Sequence, residues 1–324
     1  MNSDLTISLH ADVPVELANT RFDQIAAKLF PEYSRARLQQ WIKDGALLAD
    51  GKKLRPRDAV GAGVVLTLEA TLEPVDSWQP EPMPLDIVFE NEQLLVINKA
   101  TNVVVHPAAG HRQGTLLNGL LAHCPELENL PRAGIVHRLD KDTTGLMVVA
   151  KTLQAHAYLV EQMQLRNIKR EYEAVVQGVL TGGGTVEAAL GRHPVNRKKR
   201  AIDENGQEAV THYRVINRYR CHTHVYVRLE TGRTHQIRVH MAHIGYPLVG
   251  DPLYGGRFHV PAASSPVLTE QLRGFKRQAL HARRLSLQLP DSGEEKVWES
   301  ELPEDFRHLL AALADDEKAP RTEQ

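Results

Sequence analysis

A chain of 324 residues, 42% hydrophobic and 24% charged, is ordinary for a soluble globular protein and long enough for one small module plus a larger domain with a sizeable core. No apolar run approaches the roughly 20 residues of a membrane span, the opening MNSDLTISLH lacks the basic start and apolar core of a signal peptide, and two isolated cysteines, Cys124 and Cys221, read as reduced thiols rather than a disulfide framework or a cysteine zinc site. A net charge of −1 excludes a uniformly basic coat but not a nucleic-acid partner, because distribution decides that; the expected location is the cytoplasm.

Along the chain, Phe22, Ile25, Ala26 and Leu29 fall on one face of a helix, and Leu38, Trp41 and Ile42 repeat that spacing between a Ser34 N-cap and a Gly45 stop. LLADGKKL predicts a tight turn between short strands, and VVLTLE a further strand. Basic residues crowd this stretch: Arg35, Arg37, Lys43, Lys52, Lys53, Arg55 and Arg57 against Glu32, Asp44 and Asp50. On charge alone that is a solvated helix face as readily as an RNA-backbone surface. SRARLQQWIKDGALLADGKKL resembles the S-four-like RNA-binding domain, with ADG where VNG is commoner, and the resemblance implies RNA contacts for Arg35, Arg37, Lys43, Lys52 and Lys53. The module is expected over residues 1–75, followed by a stiff Pro-rich linker over 76–84 with prolines at 80, 82 and 84.

From residue 85 the texture changes to strands and helices in mixed order, an α+β pattern expected to run to residue 308, with a tail over 309–324 that is disordered at its end. DIVFENEQLLVINKA predicts two short strands, GTLLNGLLAHC a helix, and GLMVVAK, EYEAVVQG, THYRVINRY and HVYVRLE strands.

The chemistry concentrates in two segments. In GIVHRLDKDTTGLMVVAK a charged turn, His137 to Asp142, precedes a strongly apolar strand, which suits side chains held over a cleft by a rigid support. Asp140 lies between Arg138 and Lys141, cations that favour a carboxylate; the plainer reading is an Asp that caps its own loop. In RLETGRTHQIRVHMAHIGYPLVGD a strand ends at Thr231-Gly232, and Gln236 to His243 follow helical spacing, which puts His235 and Arg238 at the first turn. An Arg fixed on a helix suits a carboxylate anchor or a phosphate grip. His235, His240 and His243 with His137 and Asp140 could form a metal cluster, but the H-E-x-x-H spacing is absent and Arg233 and Arg238 flank the histidines, so no metal is expected.

HRLDKDTTGLMVVAK resembles the defining motif of the pseudouridine synthase family to which the large-subunit rRNA synthases A, C and D belong. KREYEAVVQG, GRTHQIRVHMAHIGYPLVGDPLYGG, QALHARRLSLQLP and VVVHPAAGHRQGTLLNGLL resemble further segments of it, so the likeness spans about residues 85–300. With the N-terminal module it is greatest to the members that join an S-four-like domain to this catalytic domain. The resemblance implies a mixed, largely antiparallel central sheet with flanking helices, no cofactor, and a set of roles. Asp140 matches the catalytic carboxylate, Arg138 the residue that helps displace the base, Tyr172 the ring that stacks on uracil, and Arg238 the partner of Asp140. His137, Arg233 and His235 are substrate-side neighbours, and Leu285 an apolar wall beside the base.

The insertion GRHPVNRKKRAIDENGQ gathers Arg192, Arg197, Lys198, Lys199 and Arg200, a solvated loop or a phosphate-contacting arm, and the arm is the expectation in this context. The sequence thus predicts an enzyme that isomerises uridines in large-subunit rRNA, acting as a monomer on free rRNA or an assembling subunit. A stem-loop facing the decoding region is the expected target. A tRNA synthase and a non-catalytic RNA-binding assembly factor are the alternatives.

Overall fold

The computed structural model describes residues 5–31, 33, 35–72, 78–107 and 113–318. They form two compact units, one ending at Ser77 and one beginning at Trp78. In the first unit, strand β1 (Leu5–Asp12) precedes β2 (Thr20–Arg21), α1 (Phe22–Leu29), α2 (Arg35–Asp44), β3 (Leu47–Ala49), β4 (Ala59–Val60) and β5 (Val65–Leu72). β5 lies between β1 and β3, antiparallel to both. Phe22, Ile25 and Ala26 of α1 and Leu38, Trp41 and Ile42 of α2 pack with Leu47, Leu66 and Leu68 of the sheet. Gly45, at φ +86°, supplies the left-handed stop of α2, while the expected Ser34 cap lies outside the described residues. Asp23 is fully enclosed and receives hydrogen bonds from Arg21, Arg35 and Gln39. Burial alone would raise its pKa, but these three donors outweigh it and hold the carboxyl at about 2.

The second unit contains β6 (Ile87–Glu90), β7 (Leu94–Lys99), α3 (Leu116–His123), β8 (Thr144–Ala150), α4 (Leu153–Gln164), β9 (Lys169–Gln177), β10 (Gly184–Glu187), β11 (Leu190–Arg192), β12 (Arg200–Ile202), β13 (Val210–Arg218) and β14 (His222–Leu229). It continues with α5 (Gln236–His243), α6 (Pro266–Gly274), β15 (Leu280–Gln288), β16 (Glu295–Glu299) and α7 (Glu304–Lys318). Nine strands make one sheet in the order β10-β13-β14-β9-β15-β8-β7-β6, with β16 also paired to β15. The α+β expectation holds: every pairing is antiparallel except β8 with β15. Alternation along β7 and β8 sends Leu95, Ile97, Met147 and Val149 into one core with α3, and Leu94, Val96, Leu146 and Val148 into another with α4.

The parallel pair positions the site. Because β8 and β15 run the same way, the loop entering β8 and the segment entering β15 meet at one end of the sheet, where His281 pairs with Thr144 and Ala282 with Gly145. The approach requires a glycine: Gly145 adopts φ +112°, and a Cβ there would lie 2.3 Å from the Ala282 carbonyl oxygen.

Residues 78–84, which fall within the stiff linker expected over 76–84, are irregular and are held against the second unit. Trp78 packs against the main core, Asn118 of α3 donates to the Gln79 carbonyl and accepts at its own carbonyl from the Glu81 amide, and the Glu81 carboxylate accepts from Gly114. The tail expected over 309–324 is helical to Lys318, because Phe306, Leu309, Ala312 and Leu313 form one buried face. Asp316, charged yet buried, accepts from Arg220 and from the Ser265 amide. Residues 319–324 lie outside the described set.

Candidate active site

Asp140 stands on the loop that enters β8, and the surrounding chain fixes that loop from several sides. The Asp140 carbonyl accepts from the Thr143 amide, closing a turn. Lys99, at the end of the apolar strand β7, donates from Nζ to the carbonyls of Lys141, Ala100 and Val103. Burial pushes the Lys99 ammonium down to about 7, with Asp142 and Asp140 acting in the opposite direction. Arg277 donates to the Asp142 carbonyl while its Nε and Nη2 grip Asp305 of α7, and Gln278 donates to the Thr143 hydroxyl. Thr144 then bonds His281 across the parallel pair at 2.8 Å.

From the opposite side comes α5. Its first turn is set by Gln236, which donates to the Val210 carbonyl and Thr211 hydroxyl and accepts from Thr231 and the Arg233 amide. Arg238 is thereby carried to Asp140, its Nη1 donating to Oδ2 at 2.9 Å. The other edge of the guanidinium is bidentate on Asp251, with Nε to Oδ2 at 2.7 Å and Nη2 to Oδ1 at 2.8 Å. Asp251 itself is fixed by the amides of Leu253 and Tyr254, and these bonds with Arg238 outweigh burial and hold its carboxyl below the usual range. So Arg238 is oriented independently of Asp140 and presents one N–H to it. Oδ1 of Asp140 accepts no hydrogen bond among the described residues; His235 Nε2 is 3.8 Å away. His235, at φ +60°, meets the Tyr254 hydroxyl through Nδ1 at 2.8 Å.

Asp140 and Arg238 open onto a pocket walled by Tyr172, Leu229, Ile237 and Leu280. Tyr172, on β9, is 4% exposed, and burial raises its hydroxyl pKa. Five residues predicted from sequence therefore meet here with Asp140: Tyr172, Arg238, Arg138, Arg233 and His235. His137 does not line this pocket but the cavity beside it. Its Nε2 accepts from the Val148 amide.

Leu285 is not the apolar wall. It lies beyond a bulge in β15, 1% exposed, in the second core with Leu146, Val148, Ile168 and Trp298. Leu280, five residues earlier on the same strand, takes the position by the pocket. The histidines of α5 do not converge as a cluster: His240 is held between the Thr211 hydroxyl and the Ala188 carbonyl, and His235 by Tyr254. Sequence reading missed Asp251, Lys99, Arg277 and Gln278. The one signal for Lys99 is a lysine ending an otherwise apolar strand, and Asp251 stands inside the segment GRTHQIRVHMAHIGYPLVGDPLYGG.

In the basic arm, Arg197 and Lys198 are exposed in the β11–β12 hairpin. Lys199 lies 5.8 Å from the Tyr254 ring centre and the Arg200 amide donates to the Tyr254 hydroxyl, which ties the arm to the site. In the first unit, Lys43, Lys52 and Lys53 are exposed, Arg35 is half committed to Asp23, and Arg37 covers the Trp41 ring.

A family profile described as RNA pseudouridylate synthase matches residues 93–243. "Ribosomal large subunit pseudouridine synthase D" of Pseudomonas aeruginosa is 60% identical over 309 residues, covering 95% of this chain and 97% of that protein. This chain belongs to the RNA pseudouridylate synthase family. The protein of the same description from Escherichia coli strain K12 is 49% identical over 311 residues, 96% of this chain and 95% of its own length. The solved structure of human RNA Pseudouridylate Synthase Domain Containing 4 superposes with a TM-score of 0.56 at 27% identity, covering 71% of this chain and 93% of the human one. Among the described residues no helix is long and apolar enough to cross a membrane.

Proposed function

We propose that this synthase converts specific uridines of large-subunit (23S) rRNA to pseudouridine, with Asp140 as the group that starts the reaction. The observation that carries the reading is the Asp140–Arg238–Asp251 chain at the mouth of a pocket walled by Tyr172. The isomerisation breaks the N1–C1′ bond of uridine, turns the uracil and joins C5 to C1′, while the C5 proton is lost and N1 regains one. It is redox-neutral and calls for a carboxylate and a shielded pocket. Arg238 occupies Oδ2 and leaves Oδ1 for substrate, whether Asp140 attacks C1′, attacks C6 or removes the 2′ proton.

A stacked base cannot reach the pocket, so the uridine flips in at a cost of a few kcal/mol. Stacking on Tyr172 offsets about 1–3 kcal/mol of that, and Arg138, exposed at the pocket edge, fills the place the base leaves. The basic arm and the S-four-like unit grip the RNA backbone. The substrate assignment is supported by relatives named for the large ribosomal subunit along nearly the whole chain. The stem-loop facing the decoding region, free or in an assembling subunit, is the target in this reading. The enzyme acts as a cytoplasmic monomer in this reading.

Pseudouridine mapping by carbodiimide labelling and primer extension, in cells with and without the protein, tests the assignment. Sites in one large-subunit hairpin vanish in the deletion and return with wild type but not with Asp140→Asn. Loss in tRNA would overturn the substrate, and turnover by Asp140→Asn above a trace would overturn the role of the carboxylate.

A further inference from the structure

Beside the uridine pocket lies a larger cavity of about 810 Å³, a size that holds nucleotide-sized ligands. Arg138, Arg170, Gly232 and Arg233 line both spaces and form the wall between them. Arg132 and Arg166 add to the larger cavity, where Glu230 is the one acid and is already paired with Arg166. Its apolar side is made by Trp78, Ile135 and Met163.

Two facts distinguish this cavity from a generic basic surface. Arg170 is only 9% exposed, yet its guanidinium has no ion pair or hydrogen bond among the described residues, and its Nε is enclosed without an acceptor. Every other buried arginine of the unit is paired: Arg238 with Asp140 and Asp251, Arg277 with Asp305. Second, the other enclosed side-chain atom without a partner among the described residues is Nδ1 of His137, which lines the same cavity. His137 is neutral, its pKa pushed to about 3 by burial and by Arg170, and its Nε2 accepts from Val148; so Nδ1 carries the proton and is a second unmet donor. Buried charges and donors are paired in stable structures, and both of these ask for an acceptor that none of the described residues supplies. Gly232 leaves the space: a Cβ there would stand 2.4 Å from Arg170 Nη1.

We propose that this cavity is a second nucleotide site, in which Arg170 pairs with the backbone phosphate that joins the flipped uridine to its neighbour in the RNA. The inference rests on the proposed reaction, since it places the neighbour beside a uridine already seated at Asp140. The neighbouring nucleotide lies against Trp78 and Met163, and the His137 Nδ1–H meets one of its oxygens once the side chains turn toward the cavity. Such a contact selects RNA in which the target and its neighbour are unstacked together, so it adds to substrate choice rather than to the chemical step.

The test uses full-length enzyme, a stem-loop RNA substrate, and the same RNA with a neutral methylphosphonate placed at one linkage at a time around the target. For wild type, neutralising the adjacent linkage raises KM about tenfold, as expected for a lost charge-assisted contact, with kcat little changed. Arg170→Met shows a similar rise on the intact RNA and no further rise from the neutral linkage. The free protein gives an independent reading: replacing an unpaired buried charge by an apolar chain of similar length leaves Tm unchanged or raises it. A lower Tm for Arg170→Met, or equal methylphosphonate penalties in both proteins, would overturn the inference. Failure of wild type to make pseudouridine in the intact RNA would instead overturn the proposed reaction, and the Tm comparison would still stand as a separate measurement.

Discussion

Arg238 makes three directed hydrogen bonds, and the two to Asp251 matter as much as the one to Asp140. Replacing Asp251 by Asn removes the charge that orients the guanidinium and leaves Asp140 with a loosely held partner. A displacement of about 1 Å at a reacting group lowers rate by roughly 10²-fold. Asp251→Asn is expected to lose about that in kcat with KM within a few-fold, measured by single-turnover kinetics alongside circular dichroism to establish folding. Tyr172 contributes a face: it is almost fully buried, and no hydrogen bond of its hydroxyl is seen among the described residues. Tyr172→Phe is expected to retain activity within about threefold, while Tyr172→Ala loses the roughly 1–3 kcal/mol of stacking together with core packing. Equal losses for Phe and Ala in the same assay would assign the work to the hydroxyl. At this scale the sequence was informative about groups that line the pocket and silent about those behind them. Asp140, Tyr172 and Arg238 stand in motifs whose chemistry is visible in residue type. Asp251, Lys99 and Arg277 act through hydrogen bonds formed only when distant segments meet, with Arg277 reaching Asp142 and Asp305 across the fold. Leu285 was misplaced for a related reason: a bulge in β15 decides which side chain faces the pocket, and a bulge leaves no mark in a pattern of alternating residues.

Elements whose apolar periodicity was strong formed where expected: α1, α5, β8, β9 and β14 match their sequence patterns closely. Strand β1 passed unnoticed because its role is to pair with β5, sixty residues away, and α7 because its last turns carry Asp315, Asp316 and Glu317, of which Asp316 is buried against Arg220. The joint between α1 and α2 depends on a single enclosed carboxylate. Asp23 has a pKa of about 2 in the folded state, below the ordinary 3.8, so its contribution to stability is fully present above about pH 4 and is lost as pH falls through about 2. The shift corresponds to about 2 kcal/mol at neutral pH. Asp23→Asn is therefore expected to lower the Tm of the first unit by several degrees at pH 7. The gap to wild type should close between pH 4 and pH 2; a gap independent of pH in calorimetric scans would mean that the carboxylate charge is not what joins the helices.

At the scale of the whole molecule, the described residues form two units with separate cores. All the pocket residues belong to residues 78–324, while the first unit carries the exposed Lys43, Lys52 and Lys53. Removing residues 1–77 is expected to leave kcat on a short stem-loop within about twofold, and to raise KM on a long rRNA fragment by about tenfold or more as the second point of attachment is lost. The dependence of KM on salt should flatten by the number of phosphate contacts removed. An unchanged salt slope, measured between 50 and 200 mM salt, would take the first unit out of RNA binding.

The locked loop around Asp140 also sets a timetable. Asp140 is made well before Arg277, Gln278 and Asp305, which hold its loop and are among the last described residues to be made. At roughly 5–20 residues per second, synthesis takes on the order of ten seconds or more to pass from one to the other. Until then β8 lacks its parallel neighbour, and an unfinished polypeptide carries Asp140, Tyr172 and Arg238 without the segment that holds the Asp140 loop. The ribosome that produces this protein contains the RNA proposed as its substrate, and the emerging chain is expected to gain activity toward it only once residues 277–305 have been added.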